Sequence, residues 1–183
     1  MQNDAKQNDM KNDVKRILFK KAVLAGILAA AGVVLSVVSI PIGPTKCFPF
    51  QHTINVVAGI LLGPWWAAGA AFTTSVIRNM MGTGSLFAFP GSIFGALFVG
   101  FAAKALPSKY KAFAACAEPA GTGIVGAWVA AQLLGPAIGK NVGFIFLSGS
   151  FLMSCVPGAA IGALLVCCLQ KRMAISRTFG AMI

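Results

Sequence analysis

Six polar side chains crowd into one interval of an otherwise apolar chain: Lys46, Gln51, His52, Asn55, Arg78 and Asn79, all between Pro41 and Gly91. Gln51 and Asn55 are four residues apart and His52 and Asn55 three apart, so a helix presents all three on one face. Thr74 and Arg78 repeat the spacing of four further along. Polar groups that face lipid are unfavourable, so both faces are expected to point inward. They then line a pocket of donors and acceptors, or hydrogen-bond helix to helix for only about 0.6–2 kcal/mol per contact. Arg78 either joins that pocket or snorkels outward.

Glu118 is the only acidic residue after position 13. A carboxylate at the centre of a membrane is unfavourable by roughly 2.5–3.5 kcal/mol and needs a partner or a proton. It shares a helical stripe with Thr122, Val125, Trp128 and Gln132, and Pro119 loosens the backbone beside it. Its open roles are acceptor for a ligand hydroxyl, counter-ion to Arg78, proton-coupling group or member of a structural ion pair. One carboxylate and one histidine make no catalytic dyad, triad or metal cage. The stretch Gly43-Pro44-Thr45-Lys46 lacks the glycine spacing of a phosphate-binding loop, so ATP hydrolysis is not expected of this chain. Five cysteines without a CxxC pair read as small buried hydrophobes. A binding subunit without cofactor fits better than an enzyme.

The solvent for this chain is lipid. Hydrophobic residues make up 57% of its 183 residues and charged ones 10%, against roughly 25% charged in a soluble domain. The net charge of +11 sits at the termini and in short connections, with no basic face interleaved with aromatics, which excludes nucleic acid as a partner. The apolar runs predict an all-α integral membrane protein of six transmembrane helices, at about 22–40, 50–62, 65–81, 90–106, 110–134 and 142–169. Residues 1–16 read as a polar cytoplasmic tail, without the features of a cleavable signal. Residues 17–172 read as one membrane domain and 173–183 as a second cytoplasmic tail. With both termini inside, twelve of the fifteen basic residues fall on the cytoplasmic side. Residues 41–49 and 79–89 then face outward, yet carry Phe48, Met80, Met81, Leu86, Phe87 and Phe89, and are expected to cover a pocket between helix ends.

The first span carries two rows of small residues, Ala22-Gly26-Ala30 and Ala25-Ala29, which let another helix approach closely. With these rows, the stretches CFPFQHTINVVAGILLGPWWA, SVIRNMMGTGSLFAFPGSIFGALFVG and AEPAGTGIVGA resemble the ThiW family among the S components of energy-coupling factor (ECF) transporters. The resemblance spans nearly all the chain after residue 20. It implies the S-component fold in a bacterial cell membrane and uptake of hydroxyethylthiazole, the thiazole precursor of thiamine. It also implies two kinds of partner, a transmembrane coupling protein and two cytoplasmic ATPases, with Ala22, Ala25, Gly26 and Ala29 as the docking face.

Pocket residues are inferred from polarity and position: Phe48, Gln51, His52, Asn55, Arg78, Asn79, Phe87, Phe89, Glu118 and Trp128. The aromatic members stack on a small heteroaromatic ring, and the polar ones serve its nitrogen and hydroxyl. Only Arg78 and Lys46 offer cations, so an uncharged ligand is expected. The competing readings are an S component for another small vitamin or pyrimidine precursor, and an ATPase-independent channel or facilitator.

Overall fold

Proline and glycine divide the chain into its elements. The computed structural model describes residues 2–42 and 45–180, with side chains described over 6–40 and 47–172. Helix α1 (Gln2–Leu35) takes in the polar N-terminal segment as well as the first apolar run. It ends where Ser36 Oγ donates to the Val33 carbonyl at 2.6 Å. The β-branched residues that follow lead into a hairpin of β1 (Ile40–Ile42) and β2 (Thr45–Cys47), paired antiparallel with Ile40 opposite Cys47. The first helix therefore stops at Leu35 rather than at Ile40.

Helices α2 (Pro49–Leu62) and α3 (Pro64–Met80) each begin on a proline, whose missing N–H is no loss in a first turn. One residue joins them. Gly63 has φ 85° and ψ 175°, a conformation essentially closed to other residues, and it reverses the chain. Helix α4 (Ala88–Ala105) follows, then α5 over residues 108–137, then α6 (Phe144–Gly180), which keeps Pro157 inside it. The sixth helix runs on past residue 172 as far as Gly180.

Helix α5 is irregular. It starts in tight 3-10 turns (Ser108–Cys116) and opens into wide π turns at Ala120–Gly126 and Ala130–Leu134. The loosening expected at Pro119 takes the form of this change of width and not of a break. Such wide turns often mark functional segments.

Among the described residues, three helical stretches are long and apolar enough to cross a membrane: Lys6–Leu35, Ala88–Ala105 and Phe144–Arg172. Large apolar side chains point outward along them and elsewhere, among them Ile27, Val34, Trp65, Phe101 and Leu164, as lipid contact requires. Helix α2 differs. At 1.5 Å per residue it is about 21 Å long, short of the ~30 Å hydrocarbon core, and α1, α3, α4 and α6 cover most of it.

Small residues set the spacing of this bundle. Ala25 and Ala29 of α1 pack with Ala58, Ala67, Ala70, Ala71 and Ala96, and Thr74 Oγ1 donates to the Ala29 carbonyl at 3.2 Å. The expected docking face consequently divides. Ala25 (8% exposed) and Ala29 (3%) hold α1 to the protein's own helices. Ala22, Gly26 and Ala30 face outward, with nothing within 4 Å of a Cβ at Gly26. Three of the five cysteines, Cys116, Cys167 and Cys168, also face outward, and only Cys47 and Cys155 are buried.

Candidate functional site

Helices α2 and α3 run in opposite directions through one tight turn, so the start of α2 and the end of α3 meet at the same end of the bundle. There His52 and Arg78 face a cavity of about 440 Å³ that α4, α5 and α6 complete. Phe48, Phe87, Phe146 and Phe151 make much of its wall, and Gln51, Ser92 and Thr122 add polar edges.

Arg78 is 1% exposed and does not snorkel. Its Cζ lies 4.3 Å from the centroid of the Phe48 ring, a cation–π contact. One guanidinium nitrogen donates to the Thr83 carbonyl at 3.4 Å, whereas Nε is buried without a partner among the described residues. The loop after α3 folds back on the same residue: the N–H groups of Thr83 and Gly84 both donate to the Arg78 carbonyl, at 3.0 and 2.9 Å. Gly82, Thr83, Gly84 and Ser85 thereby become a wall of the cavity. Met80 and Met81 point away from it into the surroundings.

Glu118 is fully buried and pairs with His52, not Arg78. His52 Nδ1 lies 2.6 Å from Glu118 Oε1, and Thr122 Oγ1 donates to the same oxygen at 2.7 Å. Glu118 Oε2 has no partner among the described residues. Two glycines make room for this arrangement. A Cβ at Gly95 would collide with Thr122 Oγ1 and come within 2.7 Å of Glu118 Oε1. A Cβ at Gly158 would strike the Pro49 carbonyl and stand 2.7 Å from His52 Cβ. The carboxylate does not line the cavity; the imidazole does. With Nδ1 engaged by the carboxylate, Nε2 is the nitrogen left for a ligand.

A second polar cluster centres on Ser92 of α4. Gln51 Nε2 donates to Ser92 Oγ at 2.9 Å, Ser92 Oγ lies 3.2 Å from Asn55 Oδ1, and Asn55 Nδ2 donates to the Ser92 carbonyl at 3.2 Å. Gln51 and Ser92 reach the cavity, and Asn55 stands behind them.

The remaining sequence candidates lie elsewhere. Asn79 Nδ2 donates to the Ser75 and Ser85 carbonyls at 2.8 and 3.3 Å and braces the loop. Phe89 packs edge-on against Phe72 with centroids 5.8 Å apart. Trp128 is 52% exposed on the outside of α5. The side chain of Lys46 lies outside the described residues. The structure brings in Thr122, Phe146, Ser150, Phe151 and Ser154, which the sequence reading did not single out as pocket residues. Ser150 and Ser154 are four apart in an apolar run, the same spacing that marked Gln51 and Asn55.

A cavity at the end of an apolar helix bundle, ringed by aromatic side chains and a few fixed polar groups, has the make-up of a small-molecule binding site. A search among curated proteins gave no match. The family model described as thiamine-precursor transporter protein (ThiW) matches residues 22–172, and the chain, a membrane transporter by this match and by its apolar helices, belongs to the ThiW family.

Proposed function

We propose that this chain is the substrate-binding subunit of an ECF-type importer in a bacterial plasma membrane, with both termini in the cytoplasm, and that its ligand is hydroxyethylthiazole. The observation that carries the reading is the pairing of His52 with Glu118 beside an aromatic cavity that also holds Arg78. A cavity of about 440 Å³ lies within the roughly 300–1,000 Å³ of small-molecule sites. Its chemistry suits a small uncharged heteroaromatic alcohol. The phenylalanines stack on the ring, Arg78 donates to the ring nitrogen, and His52 Nε2 meets the hydroxyl.

Binding comes from one end of the bundle, where the loop over 82–85 forms part of the cavity wall. With no phosphate-binding loop in the sequence, energy for uptake comes from partner ATPases through a membrane coupling protein. Ala22, Gly26 and Ala30 offer that coupling protein an open row of small residues on α1.

Calorimetric titration of the purified protein with hydroxyethylthiazole, thiamine and the pyrimidine precursor tests the ligand. Preferential binding of the thiazole is expected. Preference for the pyrimidine would move the substrate assignment, and rapid solute flux in liposomes holding this chain alone would sink the subunit reading.

A further inference from the structure

A second cavity, of about 470 Å³, opens where α2 turns into α3 and α4 passes into α5. This is the end of the bundle away from His52 and Arg78. Lys21 of α1, Lys104 of α4 and Lys111 of α5 line it, together with Gly63 and Ser108. Three cations from three helices meet here, no acidic residue stands in the wall, and the one ion pair among the described residues is His52–Glu118. The turn at Gly63 also starts the 17-residue helix α3, whose N-terminus adds positive potential. Lys104 lies across that turn, its Cε 3.7 Å from where a Cβ on Gly63 would be. Like charges gathered this way repel one another unless an anion sits among them.

Beside the cavity the surface turns apolar. Leu61, Trp65 and Phe101 are exposed, and the Trp65 and Phe101 rings meet edge to face at 5.9 Å. A cationic recess next to an aromatic, lipid-facing wall matches an amphiphile better than a soluble anion. We propose that this recess holds the phosphate headgroup of an anionic glycerophospholipid, with an acyl chain lying against Leu61, Trp65 and Phe101. Basic pockets between helices at a membrane surface take such headgroups.

The test is native mass spectrometry of the full chain, loaded in detergent with phosphatidylglycerol or phosphatidylcholine. Retention of one phosphatidylglycerol in preference to phosphatidylcholine is expected. Each of Lys21→Gln, Lys104→Gln and Lys111→Gln should weaken retention about fivefold, at about 1 kcal/mol per cation. Lys15→Gln and Lys20→Gln, made together on α1 outside the recess, should leave it unchanged. Equal retention of the two lipids, or equal loss in the α1 control, would overturn the proposal. Stabilisation by inorganic phosphate as strong as that by phosphatidylglycerol, read by thermal unfolding, would show a free-anion site and overturn it too. A triple variant that keeps its lipid but no longer co-purifies with membrane partners would make the recess a protein contact and do the same.

Discussion

Glu118 should govern ligand affinity only through His52, and a double-mutant cycle can establish it. In the native site the carboxylate oxygen lies 2.6 Å from His52 Nδ1 and holds the imidazole at the cavity wall, with Nε2 the ring nitrogen it does not engage. Glu118→Gln keeps the shape but turns a charge-assisted hydrogen bond into a neutral one, a loss of about 1–1.5 kcal/mol. Ligand binding should then weaken about five- to tenfold. His52→Ala removes the contact itself and should weaken binding at least about tenfold.

The informative quantity is the double variant. If Glu118 acts by positioning the imidazole, removing it after His52 has gone changes nothing further. The double variant then binds within about twofold of His52→Ala alone, the precision of such cycles. Titration calorimetry with hydroxyethylthiazole reads all four corners, and thermal unfolding confirms that each variant is folded. Effects that multiply, five- to tenfold on top of the His52→Ala loss, would mean that the carboxylate touches ligand by itself and would refute the reasoning. Unchanged affinity in Glu118→Gln would refute it from the other side.

Three further outcomes follow from packing. Phe48→Leu removes the ring 4.3 Å from Arg78 and should weaken binding by about 0.5–2 kcal/mol, whereas Phe89→Leu, whose ring packs on Phe72 instead, should leave affinity unchanged in the same titration. Gly95→Ala drives a methyl into Thr122 and Glu118 and should destabilise the protein by about 1–3 kcal/mol, seen as a lowered unfolding temperature together with weaker ligand binding. Gly26→Trp, where a side chain meets open space, should fold and bind normally but lose ATP-driven uptake in reconstituted transporter, while Ala25→Trp, in the packed α1–α3 seam, should fail to fold.

Periodicity carried the helices well and the ends of helices poorly. Apolar runs bounded by proline and glycine located α2, α3 and α4 within a residue or two, because Pro49, Gly63-Pro64 and Pro90 act locally on the backbone. Leu35 to Ile40 went astray because Val37, Val38 and Ile40 are as apolar in a hairpin as in a helix, and the decisive partner, β2, is a separate stretch of chain. The same limit applies to the two rows on α1. Ala22-Gly26 and Ala25-Ala29 have identical spacing, and only the position of α3 decides which row is covered.

The cavity wall was legible in part as a set of residues, with Phe48, Gln51, His52, Arg78 and Phe87 on it and Asn55, Asn79, Phe89, Glu118 and Trp128 off it, and illegible as a set of pairs. Gln51, His52 and Asn55 share a broad helical face, but successive residues on a helix are about 100° apart. That angle is enough to send Gln51 and Asn55 to Ser92 on α4 while His52 turns to Glu118 on α5. Arg78, which the sequence left open between pocket and interface, has the Phe48 ring beneath it and the loop over 82–85 beside it, both from segments that composition marked as too apolar for exposure. The sole carboxylate of the helical core therefore goes to the sole histidine, and the buried cation lies on an aromatic face. That separation leaves both Arg78 and the His52 imidazole on the cavity wall, where a direct Arg78–Glu118 pair would have satisfied both charges and left the cavity no cation beside its phenylalanines and neutral polar side chains.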